Sequence, residues 1–175
     1  PSKDDILDWS NKGYSNLGIV TGRISNLLVM DVDSYKPTFD AELVKSFNLP
    51  ITPVQETANG GRQYFFKYPI EIEIHNAVCI GHDGSGIDIR GDGGMVIVPP
   101  TKTSYGAYSW LVDPFETPLA DIPPALMALL QKEHSSESKP AKSLVELSSL
   151  SEGEGRDNAL TKICGTLVHS LHPNR

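Results

Sequence analysis

The sequence predicts an α+β fold, with a β-rich centre and helical segments before, within and after it. Three observations carry the prediction. Apolar runs of strand length, such as Leu27-Leu28-Val29-Met30 and Met95-Val96-Ile97-Val98, recur between residues 17 and 112. Gly- or Pro-rich stretches close them, which is how strands are punctuated. Helical spacing is confined to a few segments that open on a cap residue or on proline.

In chain order, Ser2, Asp4 and Asp5 ahead of Ile6, Leu7 and Trp9 predict a short capped helix over residues 1–13. Leu17 to Val20 reads as a strand closed by Thr21-Gly22. The run Leu27 to Met30 leads into Asp31-Val32-Asp33, and its unbroken apolarity predicts a strand buried on both faces. Pro37 is read as opening a helix that carries Phe39, Leu43 and Phe47 and ends at Pro50. Thr52 to Thr57 and Gln63 to Tyr68 flank Asn59-Gly60-Gly61 and predict a hairpin. Residues 72–80 are less regular. Ile87 to Arg90 and Met95 to Val98 lie either side of Gly91-Asp92-Gly93-Gly94, a second hairpin signal, and Pro99-Pro100 stops the latter strand. Tyr108 to Val112 is the last strand. Pro123-Pro124 starts a helix with Leu126, Leu129 and Leu130 that fades at Lys132.

These elements divide the chain into a main domain, residues 1–131, and a linker, residues 132–150, whose stretch 133–143 lacks large apolar residues. Residues 151–175 follow. There Ala159, Leu160, Ile163, Cys164, Leu167, Val168 and Leu171 keep helical spacing, as the first helix of a truncated helical domain would. The chain starts on Pro1 rather than Met, which reads as the start of an excised fragment without a signal peptide.

Composition narrows the function. Hydrophobic residues are 39% and charged residues 21% of the 175. That suits a soluble globular chain, and no apolar run approaches the roughly 20 residues of a membrane span, so no membrane partner is expected. Two distant cysteines exclude a zinc ribbon or a disulfide framework and suit a reducing cytoplasm. The net charge of −7 argues against a basic nucleic-acid coat protein. His75, His82 and His134 lack metal spacing, and no P-loop, Rossmann or nucleophile-elbow motif is present.

Three constellations can carry chemistry. Asp31 and Asp33 sit two residues apart at a strand end and so share a face. Carboxylates that close repel unless a cation intervenes, with magnesium or manganese the usual choice. An isolated pair of this kind more often caps a turn. Asp88 and Arg90 likewise share a strand face between glycines, offering a third acid and a phosphate-binding guanidinium, or else a plain ion pair. The turn Gly60-Gly61 then feeds a strand with Arg62, Gln63 and Lys67, whose backbone N–H groups and side chains could cradle a phosphate. A plain hairpin turn explains those glycines equally well. Phe65 and Phe66 beside it read as core. Thr21-Gly22-Arg23 is a weaker candidate for nucleotide contact.

The order of these motifs resembles the bifunctional primase/polymerase domain of the archaeo-eukaryotic primase superfamily. The segments 16–22, 31–33, 57–66 and 86–94 with Pro99-Pro100 carry the resemblance over about residues 3–112. Glu154-Gly155-Arg156-Asp157 is similar to the start of the helical domain that often follows, ahead of a helicase. The resemblance implies an N-terminal α/β unit joined to an RRM-like unit with mixed sheets. It also implies template-directed nucleotidyl transfer from nucleoside triphosphates on single-stranded DNA, in replication of a phage, plasmid or bacterial element. Asp31 and Asp33 match the family's acid-x-acid metal motif, and Asp88 matches its single acid. Together they would hold two Mg2+ or Mn2+ ions about 3.5–4 Å apart. Gln63 stands where the family places a phosphate-binding histidine. It can donate a hydrogen bond but carries no charge, and it is expected to point into the cleft with Asp31. Gly60, Gly61, Arg62 and Arg90 are the other expected nucleotide contacts.

Two rivals remain at this point: a non-catalytic module that binds DNA or recruits the replisome, and a sugar-nucleotide transferase with an acid-x-acid motif. Only a polymerase requires a template.

Overall fold

The computed structural model describes residues 2–136. The expected C-terminal helix and residues 137–150 of the linker lie outside the described residues. Helix α1, Lys3–Asn11, begins at a complete capping box in which Ser2 and Asp5 bond each other's backbone N–H. Strand β1, Leu17–Val20, and one 3₁₀ turn, Arg23–Ser25, lead to β2, Leu27–Val32. Helix α2, Ala41–Ser46, is followed by β3, Val54–Glu56, and β4, Arg62–Lys67. Strands β5, Ile87–Arg90, β6, Met95–Val98, and β7, Ser109–Val112, precede helix α3, Pro124–Ser136.

The fold is α+β, as the sequence predicts, and every pairing between these strands is antiparallel. Five strands form one sheet in the order β5-β2-β4-β3-β7, and β1 and β6 form a separate ribbon. Strand β2 lies between two partners, and Leu28, Val29 and Met30 are fully buried. This is the two-sided burial its apolar run requires.

Alternation along the strands sorts side chains to two faces. On one face Leu28, Met30, Val32, Phe66, Ile87 and Ile89 pack with Phe47 and with Leu126 and Leu130 of α3. On the other, Leu27, Val29 and Phe65 pack with Val96 and Val98 of the ribbon, Leu17 and Trp110. Phe65 and Trp110 meet as tilted rings 5.2 Å apart. The ribbon therefore covers part of that second face, next to a row of polar residues.

Three local expectations are corrected. Helix α2 starts at Ala41, not at Pro37. The Asp40 carboxylate caps it by accepting from the Leu43 N–H at 2.9 Å, and residues 37–39 form the turn before it. Strands β5 and β6 are not a hairpin. Asp92 between them accepts the Arg23 N–H at 2.7 Å, and the Thr21 N–H reaches the Gly94 carbonyl at 2.9 Å, so the chain leaves the large sheet and pairs with β1. Helix α3 continues to Ser136 rather than fading at Lys132. The hairpin of β3 and β4 forms as expected, with Gln55 opposite Gln63.

Candidate metal and nucleotide site

The register of the five-stranded sheet places one polar row across four of its strands, ending at Trp110 on the fifth. Asp88 of β5 lies opposite Asp31 of β2, Asp31 opposite Gln63 of β4, Gln63 opposite Gln55 of β3, and Gln55 opposite Trp110 of β7. Directly opposed residues in such ladders keep their Cβ atoms about 4.5–5.5 Å apart, and like charges so placed are destabilising. A sheet chosen for stability alone would not set Asp31 against Asp88.

Each acid has its own partners. The Asp31 Oδ2 accepts from Gln63 Nε2 at 2.9 Å, and Gln55 Nε2 donates to Gln63 Oε1 at 2.5 Å and to the Ile97 carbonyl of the ribbon at 2.7 Å. Asp88 accepts the Cys79 N–H at 3.0 Å on Oδ1 and an Arg90 N–H at 3.0 Å on Oδ2. Arg90 also lies 3.9 Å from Asp31 Oδ2. The Asp33 Oδ2 is ion-paired to Lys36 Nζ at 2.6 Å.

One atom in this network is left over. The Asp31 Oδ1 is buried and has no hydrogen-bond partner, as is also true of Gln55 Oε1. Burial pushes the Asp31 carboxyl up to about 6, with Asp33 and Asp88 adding repulsion and Gln63 and Arg90 only partly opposing it. Among the described residues the three acids outnumber the basic side chains paired with them, Lys36 and Arg90. All-oxygen donors of this kind suit a hard divalent cation. The present side-chain directions do not by themselves form a cage: among the described residues, no group of three or more His, Cys, Asp or Glu side chains stands ready to hold a metal. Asp33 faces Lys36 and Asp88 faces Cys79 and Arg90, so a cation would have to exchange with those partners.

The other expected residues divide. Arg90 joins the acids, as sequence alternation predicts. Gln63 points at Asp31 as expected; it is only 6% exposed and engaged at both ends of its amide, where it holds the Asp31 carboxylate. Arg62 lies opposite Val32 and so leaves β4 on the opposite face from the acids. The glycine turn does not present free N–H groups. The Gly60 N–H goes to the Thr57 carbonyl at 2.9 Å and the Gly61 N–H to the Thr57 hydroxyl at 3.0 Å. Gly61 instead permits close approach, because a Cβ there would lie 2.9 Å from the Val32 carbonyl oxygen and 3.4 Å from Asp33 Oδ1. The glycines after Arg90 serve backbone packing too. A Cβ on Gly91 would fall 2.1 Å from the Ile74 carbonyl oxygen.

Thr21-Gly22-Arg23 lies apart from the acids. Gly22 pairs with Leu27, four residues before Asp31 and so roughly 13 Å away along the strand. Its loop is tied down by the Thr21 hydroxyl on the Gly91 carbonyl and by Arg23 over the Tyr68 ring.

Three residues near the acids were not legible as site residues in sequence. Lys36 pairs with Asp33 through a turn, and Gln55 reaches Gln63 only through strand pairing. Tyr108 is close enough to Asp31 for that charge, after burial, to raise its phenol. For Lys36 the spacing of three from Asp33 was an available signal. The other two depend on register.

The family model for the N-terminal domain of bifunctional DNA primase/polymerase matches residues 1–125. No curated protein matches the chain.

Proposed function

Because the chain belongs to the bifunctional DNA primase/polymerase family, we propose that this domain catalyses template-directed nucleotidyl transfer at the Asp31–Asp88 end of its large sheet. The observation that carries the reading is the opposition of Asp31 and Asp88 across β2 and β5, with Asp31 Oδ1 buried and unpaired. That arrangement costs stability and gains meaning if a cation completes it.

In the reaction a 3′-hydroxyl attacks the α-phosphorus of a nucleoside triphosphate and pyrophosphate leaves. Asp31, Asp33 and Asp88 would hold magnesium or manganese, which when bound lowers the pKa of the attacking hydroxyl and offsets charge on the leaving group. The chain's own groups set the stage. Gln63, clamped by Gln55, fixes the Asp31 carboxylate in one orientation. Arg90 fixes Asp88 and offsets part of the acid charge at Asp31. The Cys79 N–H restrains the other Asp88 oxygen. The partners would be nucleoside triphosphates and a single-stranded DNA template in cytoplasmic replication, with a helicase domain or protein downstream as a further candidate.

A second reading is favoured by Gln63. Its amide is engaged by Gln55 and Asp31 at the position the family gives to a phosphate contact. A non-catalytic module that binds DNA or recruits a replisome is consistent with that. Primer-extension and de novo synthesis assays with Mg2+ or Mn2+ separate the two. Template-dependent product that disappears in Asp31→Asn and Asp88→Asn supports transfer. DNA binding with no product in the wild type refutes it.

A further inference from the structure

Lys36 makes the shortest ion pair among the site's acids. It follows Asp33 in the loop after β2. Its backbone N–H donates to the Asp33 carbonyl at 3.0 Å, and the turn so closed returns Nζ to the Asp33 carboxylate at 2.6 Å. Asp33, and more weakly Asp88, favour its charged form. Across the site Arg90 lies 3.0 Å from Asp88 and 3.9 Å from Asp31. Three carboxylates therefore face two side-chain cations, and the unpaired Asp31 Oδ1 marks the remaining deficit.

The two cations differ in freedom. Arg90 is two residues from Asp88 on the same strand, where its planar guanidinium holds the Asp88 carboxylate at 3.0 Å. Lys36 is on a loop, its side chain is 38% exposed against 18% for Asp33, and its four-carbon stem is flexible. A carboxylate oxygen in contact with a divalent ion cannot keep an ammonium group at the same distance, because the two cations repel. The displaced ammonium needs a new anion close by. A nucleoside triphosphate delivers one to that same place, and lysine binds phosphate well as a point charge.

We propose that Lys36 is an exchange counter-ion: it neutralises Asp33 in the empty site and moves to the triphosphate of the incoming nucleotide when a divalent cation takes Asp33. The inference rests on the nucleotidyl-transfer reading of the site. It predicts opposite effects on metal and nucleotide from one substitution, which a merely structural ion pair would not produce.

The test uses the full chain at fixed ionic strength. Mn2+ binding is titrated without nucleotide by electron paramagnetic resonance, and the nucleotide KM is measured by primer extension at saturating Mn2+. Lys36→Met should bind Mn2+ about three- to fivefold more tightly, the size of one lost partly exposed ion pair. Its nucleotide KM should rise about tenfold, with a smaller change in kcat, as expected for a lost charged phosphate contact. Lys36→Arg should recover part of the KM. Lys45→Met, which removes the same charge from an exposed pair with Glu42 on α2, should change neither. Unchanged or weaker Mn2+ binding in Lys36→Met, or an unchanged KM, overturns the exchange. If Asp88→Asn still abolishes Mn2+ binding and product, that failure leaves the transfer reading standing. A wild type that binds no Mn2+ overturns both.

Discussion

Asp31 is the residue on which burial, charge and hydrogen bonding disagree most. One oxygen is held by Gln63, the other is buried without a partner, and two further carboxylates raise its cost. An ionised group in that position stabilises nothing in the metal-free protein. Asp31→Asn keeps the shape, removes the charge and can still accept from Gln63. It should raise metal-free stability by about 1 kcal/mol while abolishing synthesis. The check is denaturant unfolding of both proteins with and without Mg2+. Magnesium should raise the midpoint of the wild type and leave that of the variant unchanged. A variant less stable than the metal-free wild type would remove the argument that this site is built for a cation.

At the level of elements, α2 shows how a short helix is anchored. It has only six residues, too few to persist alone. Asp40 caps its first turn and also meets His82 Nε2 at 2.9 Å, which ties the helix to the loop before β5. The Asp40 partner raises the His82 pKa above its usual 6.5, and the bonds to Leu43 and His82 lower that of Asp40 below 3.8. The His82 contribution is thus full below about pH 6.5 and is lost as pH rises through its folded value. The Asp40 contribution is present above about pH 3.8 and is lost as pH falls through its folded value. The pair is strongest between those limits. The melting temperature of wild type minus His82→Gln, followed from pH 4.5 to 8.5, should be greatest near pH 5–6 and shrink toward pH 8.5. A difference that does not vary with pH would mean that the contact is incidental.

Across the whole molecule, the large sheet separates stability from chemistry by face. Among the described residues, the face with Leu28, Met30 and Phe66 is closed by α3 and the segment around Phe47, whereas the face with the acids is covered only in part, by the ribbon. Among the described residues no helix is long and apolar enough to cross a membrane. Leu126 of α3 is fully buried against the closed face. Leu126→Ala should cost about 2–5 kcal/mol by cavity formation. Measured well below its melting temperature, the variant should retain wild-type kcat, since its side chain packs on the sheet face opposite the acid row. A loss of kcat in the folded variant would show that the two faces are coupled.

The sequence by itself determined the class of the fold, most strand positions and the acids Asp31, Asp33 and Asp88, because apolar runs, turn residues and alternation are local signals. It also placed Arg90 on the face of Asp88. Tertiary structure alone decided the pairings: β6 with β1 rather than β5, Asp31 opposite Asp88, and the row through Gln63 to Gln55. It put Arg62 on the far face and closed the N–H groups of Gly60 and Gly61 into their own turn. The start of α2 moved from Pro37 to Ala41 because Asp40 found both a backbone N–H and His82. The physical reason is common to all of these. Register and hydrogen-bond partnership join residues remote in sequence, and no local pattern states which of several compatible partners the packed chain will bring together.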